Sequence, residues 1–263
     1  MDMVDDATGI TLPLMSEEET IKSAMEVLWA WVLKYGIPQA LYVDHKNVYV
    51  TGREPTLEEQ LSGDMPLTQF GRACKKLGIE IIPAGSPQAK GRVERKHGVY
   101  QDRLVKELRL AGIRDIASAN EFLPSYADSL NKRFAVEPLN SSDFHVPVSG
   151  DVALASVFCL EETRPVANDW VVSYKSRLFQ ILPRKELPRA RSKVIVKEHL
   201  DGSIHLMYKG IELDYEEIAS RPVCRRDKPS DVRRGTKRMP PPDHPWQRFN
   251  PGYFTDVREP MLV

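Results

Sequence analysis

The sequence predicts an α/β layered domain followed by a small all-β domain. Two observations carry that expectation. Up to about residue 136, short apolar runs alternate with segments of helical hydrophobic spacing, the pattern of strands and helices stacked in layers. From Ala153 the period drops to two, in five or six short runs separated by polar turns. Between them, Pro138 to Gly150 has the composition of a linker. The boundaries that follow are 1–136 for the layered domain, 137–150 for the linker, 151–222 for the β domain and 223–263 for a tail.

Taken in order, Met1 to Val4 and Ile10 to Met15 read as a hairpin around Ala7-Thr8-Gly9. Ser16 is placed to cap a helix with Glu17 to Glu19 at its positive end. Ile21, Ala24, Met25, Leu28, Trp31, Val32 and Tyr35 share one face of that helix, and Gly36 and Pro38 stop it. Trp29 and Trp31 read as packing residues. Gln39 to Val43 is an apolar run ending at Asp44, a buried strand that delivers a carboxylate at its C-terminal end. Asn47 to Val50 reads as a short strand, and Thr51 to Met65 as a polar loop. Thr68 to Leu77, closed by Gly78, is a helix, and Ile79 to Ile82 another buried strand.

A turn at Gly85-Ser86-Pro87 opens a long helix over about Gln88 to Leu110. Val93, Tyr100, Leu104 and Leu108 make its inward stripe, and Lys90, Arg92, Arg95, Lys96, Arg103, Lys106 and Arg109 crowd the rest. Bases on a long helix commonly form no more than a solvated face; here they flank Glu94. Catalytic groups and ligands of open α/β sheets gather at the carboxyl ends of strands. Asp44 and Glu94 are therefore candidates for holding a divalent cation through oxygen ligands. Asp115 opens a further helix through Phe134, with Pro124 expected to kink or break it. The period-two runs are Val157 to Leu160, Trp170 to Tyr174, Arg177 to Ile181, Lys193 to Glu198, Ser203 to Tyr208 and Ile211 to Tyr215. Asp201-Gly202 is a hairpin signal among them, and together they predict a small barrel of SH3-like type. Lys175, Arg177, Arg184, Lys185, Arg189, Arg191 and Lys193 supply it with positive charge. After Arg221 the chain is rich in Pro and Arg, without periodicity, and is expected to be disordered or loosely extended.

The chain has 263 residues, 41% of them hydrophobic, enough for one large core or two small ones. Its net charge is +0, but the distribution is uneven. Residues 1–19 hold six acids and no base, whereas residues 221–238 hold eight bases against Asp227 and Asp231. Such asymmetry points to a tail that meets phosphate. Cys74, Cys159 and Cys224 are far apart, and the histidines lack ligand spacing, which supports neither a disulfide framework nor a zinc site. The acidic start fits no signal peptide, and the longest apolar run, Val27 to Leu33, is too short to span a bilayer. A cytoplasmic location, away from membranes, is expected.

Val43-Asp44 with Asn47, followed by Ser86-Pro87-Gln88-Ala89-Lys90-Gly91-Arg92-Val93-Glu94-Arg95, resembles the second and third carboxylate motifs of a known family. These are the DDE transposases of bacterial insertion sequences, which are retroviral-integrase-like. The resemblance covers about residues 1–222, and Asn131-Lys132-Arg133-Phe134 is similar to the segment where that family's chain leaves its core. It implies a ribonuclease-H-like mixed sheet with flanking helices, and three carboxylates that bind two Mg²⁺ (or Mn²⁺) ions. It also implies DNA integration and strand transfer on double-stranded DNA, both transposon ends and target, by a homo-oligomer. On this chain Asp44 and Glu94 become the catalytic and metal-ligating residues, and Lys90, Arg92, Arg95, Lys96, His97 and Arg103 the DNA contacts. His97, one turn from Glu94, either touches the reacting phosphate or fills space. The barrel either helps to bind transposon ends or mediates subunit contact.

The pattern departs from the family in two places. Asp44 and Glu94 lie 50 positions apart, longer than the family's usual spacing, and the excess falls in Thr51 to Met65. The family's first carboxylate sits on a strand ahead of the one that Met3-Val4-Asp5-Asp6-Ala7-Thr8-Gly9 resembles, so Asp5 and Asp6 fall in a turn. The first catalytic Asp and its central strand are thus expected to be missing here. The expected consequences are a weakened fold and little strand transfer. The alternative is a non-catalytic DNA-binding fragment that binds transposon ends or inhibits the full-length enzyme.

Overall fold

The hairpin closes through Asp5. In this computed structural model β1 (Asp2–Val4) runs antiparallel to β2 (Thr11–Pro13), with Met3 opposite Leu12. Asp5 Oδ2 accepts the Thr8 N–H at 2.9 Å and its hydroxyl as well, and Gly9 takes the left-handed conformation (φ 69°) that ends the turn. Asp5 is therefore a turn residue. The structure describes residues 1–63, 65–84, 87–150, 152–183 and 188–221, without the side chains of 58, 62, 87–90 and 92. The expectations for Arg184, Lys185 and the tail beyond residue 221 fall outside the described residues.

Helix α1 (Ile21–Tyr35) begins later than Ser16 would have it. Thr20 Oγ1 accepts the Ser23 N–H at 3.2 Å and Ser23 Oγ accepts the Thr20 N–H at 2.9 Å, a reciprocal box that satisfies two free donors. Ser16 spends its hydroxyl on the Glu18 carbonyl instead. β3 (Ala40–Val43) follows. Residues 47–49 form a turn rather than a strand, because the Tyr49 and Val50 N–H groups fold back to the Lys46 carbonyl at 3.0 and 3.1 Å. The expected loop contains a short helix, α2 (Leu57–Ser62), started by a Thr56–Glu59 capping box. α3 (Gln69–Leu77) is capped by Thr68, and β4 (Glu80–Pro83) pairs in parallel with β3, Leu41 opposite Ile81. Neither strand is buried throughout: Tyr42 is 61% exposed, since the β3–β4 sheet has a covered and an open face. The long helix comprises α4 (Pro87–Val99), a π-helical turn at Tyr100–Leu104 and α5 (Val105–Leu110). α6 (Ile116–Phe134) is capped by Asp115 and runs through Pro124 without a break.

A short helix, α7 (Leu154–Val157), stands where a strand was expected to start. It leads into β5 (Cys159–Pro165), β6 (Val171–Tyr174), β7 (Arg177–Ile181), β8 (Lys193–His199), β9 (Ile204–Tyr208), β10 (Ile211–Leu213) and β11 (Tyr215–Ile218). They form two antiparallel sheets, ordered β10-β9-β8-β5 and β11-β7-β6. The single expected run Ile211 to Tyr215 is divided at Asp214, whose carbonyl takes the Leu182 N–H, so the chain passes from one sheet to the other there. Phe179, Val172, Val194, Val196 and Leu206 fill the core of this part. The first core gathers Met25, Leu28 and Val32 of α1, Phe70 and Cys74 of α3, and Phe158 at the root of β5. Met1, Met3, Leu41 and Ile81 all pack on it, although the β1–β2 and β3–β4 ladders are not joined to each other. No helix among the described residues is long and apolar enough to cross a membrane.

Three side-chain amides tie helices to extended backbone, on β2, just past β2 and on β5. Asn131 Oδ1 accepts the Thr11 N–H at 2.9 Å while its Nδ2 donates to the Thr11 carbonyl at 2.8 Å. Asn120 repeats this with Met15, both bonds 2.9 Å. Gln69 does so with Glu161 on β5, at 3.0 and 2.6 Å. The expected linker is also pinned: Ile37 and Val146 exchange backbone bonds at 2.8 Å, and Trp31 Nε1 donates to His145 Nε2 at 3.1 Å.

Asn131 is buried, and replacing it with Leu strands a backbone N–H and a carbonyl at Thr11, itself 1% exposed. Asn131→Leu is expected to cost roughly 2–5 kcal/mol, read as a lowered urea midpoint. Glu161 gives a second test. Burial works against its ionisation, yet the hydrogen bond from Lys76 at 2.8 Å and the charges of Arg72, Lys76 and Lys197 hold its carboxyl below the usual range. Its contribution is fully present above the ordinary carboxylate pKa of about 4.3 and is lost as pH falls through the lower folded value. Denaturant midpoints across that acid window should fall more steeply for the wild type than for Glu161→Gln.

Candidate functional site

β3 and β4 end together, with Val43 opposite Pro83 and the Ala84 N–H bonded to the Val43 carbonyl at 2.8 Å. The parallel pairing sends both chains out at the same, C-terminal edge. Asp44 is the first residue past β3; it is exposed, and its Oδ1 accepts the His45 N–H at 2.8 Å. The chain past β4 enters α4, where Glu94 stands exposed two turns in. Both are oxygen donors open to solvent. Among the described residues, no three of His, Cys, Asp and Glu stand close enough together to hold a metal ion.

His97, one turn beyond Glu94, has a partner that sequence reasoning missed. Its Nε2 lies 2.5 Å from Asp2 Oδ1. The Asp2 side chain is only 5% exposed, and its Oδ2 is buried with no hydrogen-bond partner. The signal lay in the alternation of β1: Met1 and Met3 turn to the core of α1, which sends Asp2 to the opposite face, toward α4. Tyr100 adds a second tie, its hydroxyl 3.1 Å from Thr11 Oγ1. The hairpin thus fixes the rotation of α4 and, with it, where Glu94 points. Burial pushes the Tyr49 hydroxyl well up from its ordinary value, and the charges of Glu19, Asp2 and Asp44 act in the same direction. Asp2 and Asp44 therefore bear on one electrostatic environment.

Of the proposed DNA contacts, Arg95 is exposed, and Lys96 is half-buried with the end of its side chain, Cε and Nζ, beside the Gly9 turn. Burial holds the Lys96 ammonium below its ordinary value. The Arg103 guanidinium stands 5.3 Å from the centre of the Phe134 ring. Lys90 and Arg92 lie on α4, outside the described side chains. The β part is less basic than its sequence implies. Lys175 pairs with Glu198 at 2.5 Å, and Arg177 with Glu217 through two bonds of 2.8 and 2.6 Å. Arg189, Arg191 and Lys193 are exposed there. His199 and His205 are neighbours across the β8–β9 hairpin, their rings stacked at 4.2 Å.

The Asp2–His97 pair can be tested through stability. His97→Ala leaves a buried carboxyl without its donor and is expected to cost about 1–3 kcal/mol. Adding Asp2→Val removes the stranded group, so the double variant should recover part of that loss. Denaturant midpoints of the two single variants and the double variant check the sign.

No family model matches the chain. Two curated proteins do. Over 216 residues it is 35% identical to y4bF of Sinorhizobium fredii, a protein named as a transposase, covering 81% of this chain and 46% of that protein. Over 254 residues it is 29% identical to the transposase for insertion sequence IS1202 of Streptococcus pneumoniae, covering 93% of this chain and 53% of that protein. The chain spans about half the length of these relatives. Over most of its own length it is therefore similar to bacterial transposases, one of them the transposase of an insertion sequence.

Proposed function

We propose that this chain is a catalytic-core portion of an insertion-sequence transposase of the DDE type, acting on double-stranded DNA at transposon ends and target. The observation that carries this reading is the common exit of β3 and β4, which sets Asp44 and the helix of Glu94 at the carboxyl edge of a parallel strand pair. A ribonuclease-H-like sheet is the fold that fits best. Its support is that the parallel β3–β4 pair and the antiparallel β1–β2 hairpin pack on one core with α1 and α3. The β part, read as an SH3-like barrel, would add to DNA binding through Arg189, Arg191 and Lys193.

Asp44 and Glu94 would hold Mg²⁺ or Mn²⁺. Their carboxylates are of the right type, and Mg²⁺ commonly keeps several waters while taking only one or two protein carboxylates. When bound, the ion polarises a phosphoryl oxygen and favours an attacking hydroxyl. The chain's own bases, Arg95, Lys96 and Arg103, would position the DNA through its phosphates without reading sequence. A homo-oligomer would hold two DNA ends at once. A second reading is a DNA-binding protein that does not cut, for which the exposed bases Arg95, Arg189, Arg191 and Lys193 would suffice.

One set of measurements separates these. The full chain should bind end-containing duplex with a log affinity that falls against log salt with a slope of roughly −3 to −4.5, as for three to five neutralised phosphates. Mn²⁺ binding, followed by electron paramagnetic resonance, should weaken in Asp44→Asn and in Glu94→Gln, while DNA binding without metal should not. DNA binding that ignores metal, with no Mn²⁺ affinity to lose, selects the second reading. A chain that binds neither DNA nor Mn²⁺ overturns both.

A further inference from the structure

A cavity of about 220 Å³ lies where α4, α6 and the β1–β2 hairpin meet. Val99, Leu130 and the rings of Tyr100 and Phe134 make its walls apolar, and Arg95 and Lys96 stand beside them. Among the described residues, no carboxylate lines it. Phe134 remains 38% exposed at this place, with the guanidinium groups of Arg103 and Arg133 at 5.3 and 5.4 Å from its ring centre. Arg95 and Val99 lie one turn apart on α4, and Lys96 lies one turn before Tyr100, the first residue of the π-helical turn, so each base is paired with a wall residue.

We infer that this cavity receives an unpaired nucleobase of a DNA end, with the neighbouring phosphate on Arg95 and Lys96. The inference rests on the DNA reading above and adds a ligand to it. Size permits it: an apolar protein cavity of about 150 Å³ accepts benzene, and this one is larger. Charge selects it. An apolar side chain from another protein would fill the walls but bring no anion to Arg95 and Lys96, the two bases that line the cavity. A nucleotide brings a flat π face and a phosphate together, the combination that single-strand sites recognise with aromatic and cationic side chains. A paired base is stacked within its duplex and cannot enter.

The test compares a blunt duplex with the same duplex carrying a short single-stranded extension that contains 2-aminopurine, both titrated with the full chain. The extension should tighten binding about five- to hundredfold, the range of one stacked base, and the emission of 2-aminopurine should change on binding. In Phe134→Leu the ratio of the two affinities should fall toward one, and in Lys96→Gln it should fall in part. Circular dichroism melts confirm that each variant is folded, and Phe134 is exposed enough for the Leu variant to be so. Equal affinity for the two DNAs in the wild type overturns the inference. So does a ratio that survives both substitutions, or a dimer that forms without DNA and is lost in Phe134→Leu. Failure to bind either DNA overturns the transposase reading itself, which keeps the two outcomes apart.

Discussion

A strand edge exposes backbone donors and acceptors in alternation, and each must be matched. This protein meets part of that requirement with side-chain amides. An Asn or Gln carries one acceptor and one donor on a single planar group, as a peptide does, so it can pair both backbone groups of one strand residue. Asn131 does this for Thr11 on β2 and Gln69 for Glu161 on β5, and Asn120 does it for Met15, two residues past the end of β2. The two asparagines lay α6 along β2 in place of a further strand. A carboxylate could only accept, and a Leu could do neither, so the chemistry tolerates little substitution.

The candidate site inherits its geometry from that attachment. Thr11 is bonded by Asn131 through its backbone and lies 3.1 Å from the Tyr100 hydroxyl through its side chain, so α6 and α4 meet on one residue. His97 and Asp2 add a clamp one turn from Glu94. The cavity between hairpin and helices is built from the same contacts: Thr11, Tyr100 and Leu130 line it, and all three belong to that junction. Positive charge is distributed accordingly. In the β part Lys175 and Arg177 are offset by carboxylates, whereas Arg95 and Lys96 on α4 border a wall without one.

Much of this was legible in the sequence because it is local. The exit of Asp44 from an apolar run, the helix of Glu94, the strand Arg177–Ile181 and the turn at Asp201-Gly202 each follow from a few neighbouring residues. Two local signals were present but outweighed. Thr56 with Glu59 is a capping box inside what reads as a polar loop, and Thr20 with Ser23 displaces Ser16 as the start of α1. What could not be read depends on partners distant in sequence. Asp2 looks like a surface strand residue until α4 covers it, 95 positions away. The break at Asp214 is decided by Leu182, and the docking of the Pro138–Gly150 segment by Ile37 and Trp31.

The pinning of that segment carries a mechanical consequence. Phe158 is buried in the first core and stacked on Trp29, and the next residue opens a strand of the second part. Gln69 and Lys76 then grip β5 two residues further on. The two parts therefore meet through packing and hydrogen bonds with no free linker at this junction, and Met1–Arg221 is one compact unit. A protein hinged between its parts can adapt to a straight duplex. One without a hinge makes the duplex adapt to it, so DNA lying across both parts would bear the bending or untwisting itself. The cost of that deformation depends on the stiffness of each base step. Sequence preference could then arise at base pairs that no side chain touches.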